Sequence, residues 1–263
     1  MKMTNKLLVA GLLALAVGMT ACSSSEDNPT ATTADDTTAG TSVVTFSLSA
    51  NTSFSATSGR SLDEDYYSTL SNYTVELEED GETLYSWAYS ELPESVDLTN
   101  GTYTLLAYCG ENVAASTTSM YVYGETEFSV ASADVTVSVS CEPVCARVTV
   151  VFDESMATYF SDYSVDFSTT ALGSDTFSWE MDDTDPVYLK VDEEETVTAV
   201  INMTRIDTAE TSSASYTYTL SPLDAMTMYI SAEENSGTMG LTITIDDETN
   251  DQTIEIEIPY DWK

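Results

Sequence analysis

From about residue 43 onward, apolar residues alternate with polar ones along almost every run. Val44, Phe46 and Leu48 alternate with Thr and Ser; Tyr73, Val75 and Leu77, and then Val135, Val137 and Val139, repeat the pattern. So do Val148, Val150 and Phe152; Tyr163, Val165 and Phe167; Leu241, Ile243 and Ile245; and Ile254, Ile256 and Ile258. A period of two puts one face of each run in a core, and the β-branched and aromatic residues at those positions suit a pleated surface. The runs are short and bounded by Gly, Asn, Asp and Ser, which predicts an all-β chain built of sandwiches. Asn100-Gly101, set between two such runs, predicts a tight hairpin. Only residues 154–160 have a helical pattern, over a turn or two.

The pattern occurs twice. Leu70-Ser71-Asn72-Tyr73-Thr74-Val75-Glu76-Leu77 aligns with Phe160-Ser161-Asp162-Tyr163-Ser164-Val165-Asp166-Phe167, and Ser86-Trp87 then aligns with Ser178-Trp179. Conservative matches over a whole strand, followed by a Ser-Trp in nearly the same register, indicate a duplication. It predicts two tandem sandwiches, residues 43–141 and 142–263, which abut because almost no linker separates them. Trp87 and Trp179 then occupy equivalent core positions.

The first residues have a different character. Lys2 and Lys6 precede the apolar run 7–17, which is too short for a membrane-spanning helix and has the length of a secretory signal. Met19-Thr20-Ala21-Cys22 resembles a bacterial lipobox, so residues 1–21 are expected to be removed and Cys22 acylated in the outer membrane. Residues 23–42 hold no aromatic and only Ala among apolar types. With Cys22 they read as a disordered tether (22–42) spanning about 25 Å. Ser23-Ser24-Ser25-Glu26-Asp27 is similar to the acidic signal that sends Bacteroidota lipoproteins to the cell exterior.

Charge narrows function further. The chain carries 45 Asp plus Glu against seven Lys plus Arg, a net charge of −38, and both Lys2 and Lys6 lie in the signal. Such a surface repels phosphates, so no nucleic-acid partner is expected. Crowding also predicts raised carboxyl pKa values. The chain has no His, which removes Ser-His-Asp and Cys-His catalysis and His-ligated metal sites.

Leu98-Thr99-Asn100-Gly101-Thr102-Tyr103-Thr104-Leu105-Leu106-Ala107 resembles the turn and strand of transthyretin-like and collagen-adhesin B-type modules. Together with the lipobox, the tether, Ser71-Asn72-Tyr73-Thr74-Val75 and Met156-Ala157-Thr158-Tyr159-Phe160-Ser161-Asp162-Tyr163, it makes the chain similar to a Bacteroidota lipoprotein family, domain of unknown function 4493. That family in turn looks like the fimbrillins and their anchors. The resemblance implies two tandem transthyretin- or Ig-like Greek-key β-sandwiches after the tether.

Candidate chemistry is sparse. Apart from Cys22, three cysteines allow at most one intrachain disulfide; Cys109 with Cys141 is one candidate pair, Cys141 with Cys145 is close in sequence, and buried free thiols are the alternative. Two acidic loops are weak Ca²⁺ candidates: Asp182-Asp183-Thr184-Asp185, and the turn carrying Asp246, Glu248 and Asp251, the second of which sits between two alternating strands and is fully explained as a solvated hairpin turn. No metal or other cofactor is expected, and no catalytic constellation stands out among the acids, so the chain reads as a non-enzyme. Tyr121 and Tyr123 beside Gly124, and Tyr260 and Trp262, are candidate platforms for sugar stacking, the alternative being tyrosines on half-buried strands and a C-terminal pair packed on the last strand. Arg60 is isolated in a polar loop after the first strand. The likeness to fimbrillins implies processing there, which would open a groove for a partner's strand.

These readings converge on a surface-exposed lipoprotein serving adhesion or as a fimbria-like accessory. Its partners are outer-membrane lipid, through Cys22, and a host or microbial surface glycan or protein. The alternative is a glycan-binding lipoprotein of a polysaccharide-uptake system.

Overall fold

The computed structural model describes residues 40–55, 62, 64–235, 238–246 and 252–257. The signal, Cys22, nearly all of the tether, Arg60, Glu248, Asp251, Tyr260 and Trp262 lie outside them. The chain is all-β. Its first half holds β1 (Thr41–Ala50), β2 (Thr74–Glu79), β3 (Glu82–Ala88), β4 (Ser95–Thr99), β5 (Gly101–Cys109), the two-residue β6 (Ala115–Ser116), β7 (Val122–Val130) and β8 (Val135–Pro143). A short helix, α1 (Glu64–Ser68), lies between β1 and β2. The second half holds β9 (Cys145–Phe152), α2 (Met156–Tyr159), β10 (Phe160–Ser168), β11 (Phe177–Glu180), β12 (Val187–Lys190), β13 (Glu195–Arg205), β14 (Thr211–Leu220), β15 (Ala225–Asn235), β16 (Thr238–Asp246) and β17 (Gln252–Glu257).

The same order of strand pairing recurs in the two halves. One layer of the first half runs β3-β2-β5-β7, and one layer of the second runs β11-β10-β13-β14. The facing layers are β4-β1-β8 and β12-β9-β15, with β1 parallel to β8 and β9 parallel to β15. Val75 pairs with Trp87 as Val165 pairs with Trp179, so the repeated Ser-Trp occupies the same register. β8 bridges the layers of the first half: Val135–Cys141 pair with β1, and Glu142 and Pro143 pair with β7. In the second half β16 and β17 extend the layer beyond β15.

Alternation produces two cores. Val44, Leu77, Leu105, Val122 and Val139 meet between the first pair of layers, and Val148, Val165, Trp179, Ile201 and Ile243 between the second. Each such side chain contributes about 1.5–3 kcal/mol by leaving water. β9 departs from strict alternation, because Cys145, Ala146, Arg147 and Val148 are all buried. Ala146 and Val148 face the second core, whereas Cys145 joins the first together with Tyr188 and Ala225.

Several expectations are corrected. Thr41 and Ser42 are strand rather than tether, paired with Thr99 and Leu98. Asn100-Gly101 makes no hairpin: β4 pairs with β1 and β5 with β2 and β7, so the chain crosses between layers there. The Asn100 side chain instead holds the neighbouring loop, its Oδ1 accepting from Ser132 N–H at 2.9 Å. The Tyr103 hydroxyl braces the corner by donating to the Thr99 carbonyl at 3.0 Å. Trp179 is fully buried, but Trp87 is only half-buried, stacked on Tyr85 at 5.2 Å and near Phe46 at 6.1 Å, because the β3 edge has less cover.

Candidate functional site

Three places carry features beyond packing. The first is β1 with the segment just beyond it. β1 is paired on both sides, to β4 through Thr41–Thr45 and to β8 through Val44–Ala50. Val44 lies in the core, and Phe46 and Leu48 pack against it. Asn51 N–H continues to the Cys141 carbonyl at 2.9 Å, and Phe54 and Ser55 then dock on the second half. Ser55 N–H donates to the Leu223 carbonyl at 3.0 Å, and Ser55 Oγ accepts from Ala225 N–H at 2.9 Å. Phe54 is buried there, 5.8 Å from the Tyr188 ring, with the Arg147 guanidinium 5.0 Å from its own centroid. Arg147 is itself buried.

The second is a cleft where the two halves meet. Val122 faces the core, so alternation turns Tyr121 and Tyr123 to the opposite face of the sheet. Tyr123 pairs with Tyr108 across β5 and β7, and the three phenols form a ladder: 6.1 Å from Tyr108 to Tyr121, then 5.9 Å from Tyr121 to Tyr123 with planes 23° apart. Tyr123 donates to Glu125, and Tyr108 to Glu76 at 3.3 Å. Burial first, and then the bond to Glu125, push the Tyr123 phenol up. Tyr121, Tyr123, Val144 and Pro222 line a cavity of about 510 Å³ together with Asn112, Lys190, Val191, Asp192 and Glu193. A second cavity, of about 420 Å³, shares Asn112, Lys190, Val191 and Asp192 and reaches Thr170 and Glu195. Lys190 Nζ donates to Asn112 Oδ1 at 2.8 Å. The buried Glu195 carboxylate accepts from Thr170 N–H and from Asp192 N–H at 2.8 Å, which fixes the loop beside the cleft.

The third is the cysteine group. Cys109, Cys141 and Cys145 are buried with free thiols. Cys109 ends β5 and Cys141 lies in β8, with β7 between the two strands, and Cys141 S–H donates to the Ala107 carbonyl at 3.5 Å. Burial pushes the Cys109 thiol up and the Cys141 thiol up to about 12. Thiols held neutral in this way are poor nucleophiles and poor metal ligands.

The acidic loops provide less. Asp183 Oδ2 accepts from Glu180 N–H at 2.8 Å, closing a turn. Asp246 ends β16 opposite Thr227. Among the described residues no group of three or more Cys, Asp or Glu is placed to hold a metal ion. Two carboxylates also move against the expectation drawn from crowding: Asp153 is lowered, first by its hydrogen bond with Ser155, and Asp207 by that with Arg205, whose Nε and Nη2 reach it at 2.9 and 2.8 Å. Local donors outweigh the diffuse negative field at these positions. The Tyr108–Tyr121–Tyr123 ladder was visible in sequence only as Tyr121 and Tyr123. The contribution of Lys190 and Asn112 was not, because they come from different halves of the chain.

Fold and sites together define a double-cored all-β sandwich protein whose distinguishing features are a doubly paired first strand and a tyrosine-walled cleft. The family model "Domain of unknown function (DUF4493)" matches residues 40–260, and the chain belongs to that family. No curated protein matches it. Among solved structures it is similar to a fimbrial assembly protein from Parabacteroides distasonis, at 11% identity over 82% of this chain and 99% of the other, with a TM-score of 0.42. It is also similar to the fimbrial anchor protein Mfa2 from Porphyromonas gingivalis, at 13% identity over 78% and 98% of the two chains, TM-score 0.43. A candidate adhesin from Bacteroides ovatus is similar at 10% identity over 82% and 95%, TM-score 0.47. Likenesses this distant carry no activity across to this chain.

Proposed function

We propose that the protein is a non-catalytic lipoprotein, held in the outer membrane through Cys22 and facing the exterior, with an adhesive or fimbria-like accessory role. Its two halves, 43–141 and 142–263, act as tandem transthyretin-like sandwiches at the end of the tether. The observation that supports this most is the position of β1, paired to β4 on one side and β8 on the other, with Arg60 ten residues further along the sequence. Uncut, the chain is a lipid-anchored piece whose slot is filled by its own strand. A cut after Arg60 leaves β1 held by hydrogen bonds and apolar contacts alone. Its withdrawal opens two strand edges beside an apolar strip, a fit for a donated strand.

The test is protease shaving of intact cells, with mass spectrometry of both the released peptides and the protein left in the membrane. Release of peptides from both halves is the expected result, with an acylated Cys22 peptide in the membrane fraction. A native N-terminus at Ser61 would identify the processed, strand-accepting form. Protection of the whole chain until lysis would overturn surface exposure.

A further inference from the structure

We propose that the cleft between Tyr121, Tyr123 and Lys190 binds a neutral oligosaccharide. This capacity is separate from strand exchange, which needs no small-molecule site. The walls are built before any ligand arrives. Val144 N–H donates to the Tyr121 carbonyl at 3.0 Å, Lys190 N–H to the Ala114 carbonyl at 2.9 Å and Val191 N–H to the Val144 carbonyl at 3.4 Å. The Tyr123 ring is held by Glu125 and by stacking on Tyr121, and the Lys190 ammonium by Asn112. A site already in its bound geometry loses less entropy on association.

The chemistry around the cleft selects the ligand class. Part of the lining is aromatic and apolar, from Tyr121, Tyr123, Val144 and Pro222. A pyranose presents a face of C–H groups that packs on such a surface, while its hydroxyls point to the sides. The rest of the lining offers those hydroxyls both donors and acceptors: the Lys190 ammonium and the Asn112 amide N–H groups donate, and Asp192 and Glu193 accept. Hydroxyls satisfy both kinds, whereas a carboxylate or sulfate only accepts and an ammonium only donates. Charge decides the remainder. A chain of net charge −38 repels polyanions. The cavity of about 510 Å³ and the adjoining one of about 420 Å³ fall in the size range of small-molecule sites and, sharing four residues, suit a ligand of more than one sugar.

The experiment uses the soluble chain from residue 23 with cellohexaose, xylohexaose, mannohexaose, maltohexaose and laminarihexaose as probes, followed by calorimetry. A heparin hexasaccharide and hexalysine serve as charged controls. The expected result is saturable binding of at least one neutral hexasaccharide, weakened about tenfold or more by Tyr121→Ala and by Lys190→Ala. Tyr85→Ala, on the distant β3 edge, leaves binding unchanged. Should Tyr121→Ala fail to fold, hydrogen exchange of the unmodified protein provides the same test, with the sugar protecting residues 111–114, 121–123 and 190–193. Absence of binding to every neutral probe would overturn the proposal. So would protection confined to other segments, undiminished binding in folded Tyr121→Ala and Lys190→Ala, or equal affinity for heparin or hexalysine.

Discussion

Phe54 is the residue through which the junction of the two halves can be tested. It lies just beyond β1, is 7% exposed, sits 5.8 Å from Tyr188 and has the buried Arg147 guanidinium 5.0 Å from its ring centroid. Phe54→Ala removes the ring from a packed site, a change that costs about 3–5 kcal/mol. At about 2–4 °C per kcal/mol for a chain of this size, the melting temperature should fall by about 6–20 °C. Phe54→Leu keeps most of the apolar volume but removes the ring face under the cation, so it should cost about 1–2 kcal/mol. The assay is urea unfolding followed by circular dichroism and by tryptophan fluorescence. Trp87 reports on the first half and Trp179 on the second, separated by Trp87→Phe and Trp179→Phe backgrounds that also carry Trp262→Phe. The two reporters should unfold together in the parent protein and apart in Phe54→Ala, with the larger shift at Trp87. A Phe54→Ala chain within about 1 kcal/mol of the parent, with coincident transitions, would refute the claim that this contact joins the halves.

Other consequences are as direct. Gly110 has φ +86° and a Cβ there would lie 1.9 Å from the Met120 carbonyl oxygen, so Gly110→Ala should cost about 3 kcal/mol or more and lower soluble yield, read by thermal melting. Glu195→Gln leaves the Thr170 or Asp192 N–H facing an amide N–H in a buried site, and should destabilise by about 1–3 kcal/mol in the same assay. The chain from residue 23 should show three thiols to Ellman's reagent in guanidinium and almost none when folded, whereas a Cys109–Cys141 disulfide would leave a single thiol. Cys141, raised by burial from 9.0 to about 12, is an acid whose neutral form the fold retains, and burial also raises Cys109, Tyr73 and Tyr218. Their contribution is complete below the unfolded thiol value and is lost as pH rises toward 12, so the urea midpoint should decline between about pH 8.5 and about pH 11. A midpoint flat over that range would contradict the burial of these groups.

How much could be read from sequence depends on the range of the forces involved. Alternation is local, so the strands around Val75, Val137, Val165 and Ile243 were visible as period-two runs, and the repeat was visible because Tyr73, just before β2, aligns with Tyr163 in β10. Cover is not local. Trp87 and Trp179 each follow a Ser and pair with a Val across the ladder, yet only one is enclosed. Arg147 reads as a surface residue in an alternating run, but it is buried because β9 has core on both faces. The Asn100-Gly101 pair misleads for a related reason: the turn chemistry was present, but β4 and β5 belong to different layers, so no ladder closes beneath it. The cleft was the least legible feature, since Tyr121, Lys190 and Pro222 meet only after both halves have folded.

The parallel pairing of β1 with β8 has a mechanical meaning. β1 enters the first half and β8 leaves it, side by side and pointing the same way, bonded from Val44–Val135 to Ala50–Cys141. A pull on the segment before β1, opposed by load on the chain beyond β8, therefore runs along both strands and strains their rungs in shear. The ladder must then give way as a set, rather than unzipping one rung after another. β9 and β15 repeat the arrangement from Arg147–Ala225 to Phe152–Ile230. The chain thus carries two such clamps, the geometry that lets a tethered molecule bear tension while each of its hydrogen bonds stays individually weak.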